Sequence, residues 1–98
     1  MHIITRRRLK EFWDRHPDAE VPLKAWFSIV RRKRYADPHE LRLDFPSASL
    51  LGGGRTVFNI AGNKYRLVVI IRYDMGRVFV RHMLTHEEYQ RRSREGAL

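Results

Sequence analysis

Between Arg55 and Tyr89 the chain gathers the residue types that handle a phosphodiester: Arg, Lys, Asn, His and Tyr. The stretch begins Arg55-Thr-Val-Phe-Asn59-Ile-Ala-Gly62-Asn63-Lys64-Tyr65-Arg66-Leu. It passes through an apolar run and closes on Arg81-His-Met-Leu-Thr85-His86-Glu-Glu88-Tyr89. Arginine grips phosphate oxygens through a planar fork and can offset the charge that develops on a phosphorane. Histidine is suited to proton transfer near neutral pH, and a lysine desolvated beside arginines could serve as a base. Together these groups suit transphosphorylation of RNA. A base takes the 2′-hydroxyl proton, the oxygen attacks the neighbouring phosphate, and an acid protonates the leaving 5′-oxygen.

The elements that must position these residues can be read from periodicity. Met1–Thr5 is an expected first strand. Leu9, Phe12, Trp13 and His16 share one helical face over residues 6–16, and Pro17-Asp18 ends that helix. A second helix is expected over 20–34, with Pro22 in its first turn, where no amide donor is missed. Its apolar stripe is Leu23, Trp26, Phe27 and Val30, so both tryptophans are expected to pin helices to the core. Residues 36–54 read as a long connection with a flexible tip at Gly52–Gly54, and strands follow at 55–60, 63–72 and 77–84. The expected fold is α+β, in the order β-α-α-β-β-β with a short final helix. Two N-terminal helices pack on one face of a small, mostly antiparallel sheet in a single domain spanning 1–98.

Strand register then predicts which side chains meet. With Ala61-Gly62 as a tight turn, Phe58 faces Tyr65 and Asn59 faces Lys64. With residues 73–76 as the second turn, Ile71 faces Val78 and Leu67 faces His82, which puts His82 on the core side. The opposite face carries Arg55, Asn59, Lys64, Arg66, Arg72, Arg77 and Arg81, and the end of the third strand brings His86 and Tyr89 near Asn59, Asn63, Lys64 and Arg66. That corner is the expected active site. Thr85-His86-Glu87-Glu88 also matches a capping box, which assigns Glu88 to holding the last helix rather than to catalysis.

Charge and composition agree with a nucleic-acid partner. The net charge is +9, and sixteen of the twenty basic residues are Arg. Residues 55–94 hold nine Arg and Lys against three acids, whereas residues 1–54 hold eleven against seven. The run Arg31-Arg32-Lys33-Arg34 exceeds what capping its helix requires and is a candidate contact to an RNA backbone, ribosomal RNA included. No cysteine is present, which excludes disulfides and thiolate zinc sites. His2, His16, His39, His82 and His86 show no metal-ligand spacing, so neither metal nor cofactor is expected. The Gly run lacks the Lys-Ser/Thr of a phosphate-binding loop. The longest apolar run, Leu67–Ile71, is far too short to span a bilayer, and a soluble, cytoplasmic protein is expected.

The block Val57-Phe58-Asn59-Ile60-x-Gly62-Asn63-Lys64-Tyr65-Arg66-Leu67, followed by Val80-Arg81 and Thr85-His86-x-Glu88-Tyr89, resembles the HigB family of bacterial type II toxins. Met-His-Ile-Ile-Thr, Leu9-Lys10 and the segment from Pro38 to Ser47 extend the resemblance over nearly the whole chain. HigB proteins are a branch of the RelE/ParE superfamily. The resemblance implies a RelE-like fold, cleavage of mRNA on translating ribosomes, and neutralisation by a cognate HigA-type helix-turn-helix antitoxin. It carries functional roles onto Asn59, Asn63, Lys64, Arg66, Arg81, His86 and Tyr89. Ala61 stands where many relatives have Gly, and Gln90 where many have Asp. A ParE-like gyrase poison would share the fold without needing His86, and a non-catalytic nucleic-acid-binding module would need only the basic face.

Overall fold

Apolar spacing along the first helix is realised as α1 (Arg7–Arg15), which buries Leu9 and Phe12. Pro17 stops it and opens a 3₁₀ turn over Pro17–Ala19, from which α2 (Glu20–Arg32) buries Leu23, Trp26 and Val30. The computed structural model describes residues 1–98. Helix α2 ends two residues before the expected Arg34. Lys33 is already extended, and the Met1 ammonium donates to the carbonyls of Val30, Arg31 and Lys33 at the helix C-terminus. A cation there satisfies carbonyls that no helical amide can reach.

The expected long connection holds two further elements. Asp37 accepts from the Glu40 amide (2.9 Å) and Pro38 occupies the first turn, so α3 (Pro38–Asp44) starts on an Asp cap followed by Pro. A short strand, β2 (Ser49–Gly52), then pairs with β3 (Arg55–Ile60). Gly53 and Gly54, both at positive φ, form the turn between them, so the expected flexible tip is an ordered hairpin. At Gly54 only glycine fits. A Cβ would lie 2.5 Å from the Ile71 carbonyl oxygen, where the Gly54 carbonyl accepts from the Ile71 amide at 2.8 Å.

With β1 (His2–Ile4), β4 (Tyr65–Arg72) and β5 (Arg77–Thr85), the sheet has the order β1-β5-β4-β3-β2. Strand β1 runs parallel to β5, and the other pairings are antiparallel. The α+β architecture with N-terminal helices on one sheet face is therefore as expected. That face buries Phe58, Leu67, Val69, Ile71, Val78 and Val80 beneath α1, α2 and α3. Trp26 is buried edge-on to Phe58, and Trp13 lies half-buried under the Lys24 ammonium. The second face is not wholly basic. Helix α4 (His86–Glu95) and Leu98 cover a small apolar cluster of Val57, Val68 and Leu84.

Two details of register differ from the sequence expectation. The β3–β4 connection is a four-residue turn, Ala61–Lys64, so Ile60 pairs with Tyr65 and Asn59 with Arg66. The slip is two residues and leaves every side chain on its expected face. The β4–β5 pairing runs as expected from Ile71–Val78 to Val69–Val80, then bulges at Arg81, so Val68 pairs with His82 and Leu67 with Met83. The bulge lets Met83 pack with the main core while Leu84 joins the cluster under α4, a gain on both faces.

Ala61, noted above in place of Gly, adopts φ +55, which an L side chain disfavours. Ala61→Gly is expected to raise stability by about 0.5–1 kcal/mol, the relief of strain being partly offset by the freer unfolded chain. Thermal unfolding of the variant checks this.

Candidate active site

Helix α4 begins where β5 ends because the expected capping box forms. Thr85 Oγ1 accepts from the Glu88 amide (3.2 Å), and Glu88 accepts from the Thr85 amide (2.9 Å). The His86 amide donates to the Lys64 carbonyl at 2.9 Å, tying the helix start to the β3–β4 turn. His86 is thereby brought beside Arg66, whose Nη2 lies 3.1 Å from His86 Nδ1. A guanidinium can only donate, so Nδ1 must carry the lone pair and Nε2 the proton. Arg66 is itself fixed through Nη1 to the carbonyls of Asn63 (3.0 Å) and Tyr65 (3.1 Å) and sits 5.7 Å from the Tyr89 ring centre. Tyr89 in turn packs against the cluster under α4, and Asn59 is exposed opposite Arg66. The expected corner therefore brings together Asn59, Asn63, Arg66, His86 and Tyr89. It pairs a proton-bearing imidazole nitrogen with a guanidinium that can turn onto a phosphate.

Lys64 is close in sequence but committed elsewhere. Its ammonium is exposed and lies 2.7 Å from Asp18 Oδ2, while the Tyr65 hydroxyl donates to Asp18 Oδ1 at 2.5 Å. The hydrogen bond to Asp18 raises the Lys64 pKa above its ordinary value, so Lys64 is not the desolvated base that the sequence suggests. The same Asp18 contact raises the Tyr65 phenol, and the Lys64 bond in particular holds Asp18 below its ordinary value. His16 stacks on Phe12 (4.4 Å between ring centres) and stands 5.3 Å from the Tyr65 ring. Asp18 was legible only as a helix breaker with Pro17, because its partners lie 46 and 47 residues away.

The remaining expected site residues lie apart from this corner. Arg81 sits at the bulge with its carbonyl accepting from Arg8 Nη1 (2.6 Å), and His82 has crossed from the core side to the α4 side. Arg72 and Arg77 are partners at the far end of the β4–β5 hairpin, and Arg72 pairs with Asp74 at 3.1 Å. Arg72 stands six positions along β4 from Arg66, roughly 20 Å of strand. Arg55 donates to the Leu98 carbonyl (2.7 Å) and so anchors the C-terminal segment. In the basic run, Lys33 pairs with Asp44 (3.3 Å) and Arg34 donates to the Asp74 carbonyl (3.3 Å), whereas Arg31 and Arg32 are exposed and unpaired.

Two expected outcomes follow from these surroundings. Glu88→Ala removes the reciprocal half of the cap and should cost about 0.5–2 kcal/mol, while Glu88→Gln keeps an acceptor and should retain most activity. Thermal unfolding and an RNA-cleavage assay on both variants check this, and a folded but inactive Glu88→Gln protein would make Glu88 a catalytic carboxylate. Burial, with Arg92, Arg81 and Arg8 adding to it, pushes His82 below the ordinary imidazole value. The unfolded chain then binds a proton that the folded protein resists. The contribution is present above about pH 6.5 and declines as pH falls from there toward the folded value. The depressed carboxyls of Asp18, Asp44, Asp74 and Glu88 act the same way, starting below about pH 4. Urea midpoints against pH should fall in two stages, and His82→Asn should diminish the first.

Comparison with known proteins agrees with this fold and site. Residues 19–92 match HigB_toxin, the RelE-like toxic component of a toxin-antitoxin system. That span is 74 of the 98 residues, and the chain belongs to the HigB toxin family. An antitoxin partner comes with that family. The chain is 29% identical over 91 residues to the mRNA interferase toxin HigB of Escherichia coli K12, covering 91% of this chain and 88% of the relative. It is 26% identical over 96 residues to the mRNA interferase HigB of Escherichia coli O6:H1, covering 96% and 93% of the two chains. The matched span contains the whole Arg66–His86–Tyr89 corner, while α1 and Asp18 precede it. No helix is long and apolar enough to cross a membrane.

Proposed function

We propose that the chain is an mRNA interferase, an endoribonuclease toxin acting in the cytoplasm on translating ribosomes and neutralised by a HigA-type helix-turn-helix antitoxin. The observation that carries this reading is the 3.1 Å contact between Arg66 and His86 Nδ1, which leaves the proton-bearing Nε2 as the free end of the ring. When Arg66 turns onto the scissile phosphate, Nδ1 is released and can take a second proton. The imidazolium then gives the Nε2 proton to the leaving 5′-oxygen, while Arg66 offsets the charge on the phosphorane. The attacking 2′-oxygen loses its proton to a non-bridging oxygen of the scissile phosphate, which the substrate itself supplies. Asn59, Asn63 and Tyr89 orient the RNA. The similarity to relatives known as mRNA interferases supports the same reaction.

Cleavage of an mRNA by the purified protein, with and without ribosomes, tests this reading. Cleavage only with ribosomes is expected. Rapid degradation of naked RNA at physiological salt would remove the ribosome requirement, and intact RNA beside stalled gyrase would replace the reading by a topoisomerase poison. The unpaired Arg31 and Arg32 are the part of the basic run free to grip ribosomal RNA. Neutralising the run from Arg31 to Arg34 should weaken ribosome association several-fold and leave the corner at His86 intact. Unchanged association, measured by ribosome pelleting, would limit that run to its contacts at the end of α2.

A further inference from the structure

Beyond the end of β1 at Ile4, the edge of β5 has no neighbouring strand, and α1 and α4 flank it. Between them lies an open cleft of about 560 Å³ whose walls carry five guanidiniums, those of Arg7, Arg8, Arg15, Arg81 and Arg92. Two carboxylates reach it. Glu88 is occupied in the cap of α4, and Glu11 pairs loosely with Arg7 at 3.5 Å. Arg8 spends one nitrogen on the Arg81 carbonyl, Arg92 makes only a 3.5 Å contact to the Ala97 carbonyl, and Arg15 has no partner. Folding gains nothing from crowding like charges around one strand edge, so this excess calls for an anion with several charges and extended shape. His82 lies in the same cleft, where burial first, and then Arg92, Arg81 and Arg8, hold it below the ordinary imidazole value. Three of the five guanidiniums stand on α1, before the residues 19–92 matched to the toxin family.

We infer that the cleft between α1, the β5 bulge and α4 is a second binding groove, which takes the phosphodiester backbone of single-stranded RNA. Glu88 lines it and lies two residues from His86 on the same helix, so RNA held along β5 continues toward the corner of Arg66 and His86. The bulge falls at Arg81, whose side chain lines this groove. Arg81 is thereby a binding rather than a catalytic residue. The inference rests on RNA being the substrate of the adjacent corner and adds how a flanking stretch is held.

The test uses a short 2′-O-methyl oligoribonucleotide, which binds but cannot be cut by 2′-oxygen attack. Its affinity is measured against salt for the full-length protein and for Arg8→Gln/Arg15→Gln/Arg92→Gln, with His82 followed by NMR. Each phosphate neutralised on a single strand adds roughly 0.7 to the slope of log K against log salt, so the triple variant should lose about 2 from that slope. In the wild type the oligonucleotide should raise the His82 pKa. Should the triple variant fail to fold, Arg15→Gln/Arg92→Gln disturbs no contact to the sheet, and about two thirds of the slope change, roughly 1.4, is expected. An unchanged slope with an unmoved His82 overturns the inference. So does a His82 response to a glutamate-rich peptide with none to RNA, which would assign the groove to an acidic protein segment. His86→Ala separates this outcome from that of the catalytic reading. It should reduce cleavage on ribosomes by on the order of 10²-fold or more while leaving the slope and the His82 response intact, so either half can fail alone.

Discussion

His86→Ala is expected to reduce RNA cleavage by on the order of 10²-fold or more without unfolding the protein, the usual contribution of one positioned proton-transfer group. The His86 backbone, through its amide on the Lys64 carbonyl, keeps the start of α4 in place whatever the side chain. Arg66→Ala should cost at least as much, because Arg66 both fixes the His86 tautomer and supplies the charge facing the phosphate. Arg66→Lys should recover little, since an ammonium cannot bridge two carbonyls and a ring nitrogen in one plane. Single-turnover cleavage by folded variants is the measurement. Full activity of His86→Ala would remove proton transfer from this residue, and a harmless Arg66→Ala would move the site elsewhere.

The second large effect falls on stability. Leu67 is fully buried between its strand partners Phe58 and Met83, one residue from Arg66 on β4. Leu67→Ala should cost about 2–5 kcal/mol, out of a total that for a domain of this size is about 5–15 kcal/mol. The melting temperature should then fall by on the order of 10 °C or more. Cleavage by the variant, measured well below its transition, should persist, because alternation along the strand keeps Arg66 on the opposite face. A loss under about 1 kcal/mol would mean that this face of β4 collapses freely around the missing side chain.

The difference between these two residues indicates what was readable in the sequence. Arg66 and Leu67 could be assigned to opposite faces because period-two alternation survives a slip of two residues, which is how the actual β3–β4 turn differs from a tight one. The capping box at Thr85 and Glu88 was legible for a related reason, since all its partners lie within one helical turn. The bulge at Arg81 was not. A single extra residue is favoured only by what covers each face, and α4 over Leu84 is a tertiary fact. Once the bulge forms, Arg81 and His82 leave their expected neighbours together. Lys64 was misassigned because Asp18 reaches it across 46 residues of chain. In α3, by contrast, the Asp37-Pro38 start was a local signal hidden inside a segment rich in turn residues.

End-group analysis of the RNA fragments tests the central claim most directly. Attack by the 2′-oxygen with His86 protonating the leaving oxygen must produce a 5′-hydroxyl on one fragment and a 2′,3′-cyclic phosphate, or the 3′-phosphate it hydrolyses to, on the other. Those ends, produced from mRNA on ribosomes by the wild-type protein and lost with His86→Ala, are the predicted result. Fragments ending in 5′-phosphate and 3′-hydroxyl, or the same ends produced undiminished by His86→Ala, would contradict the account.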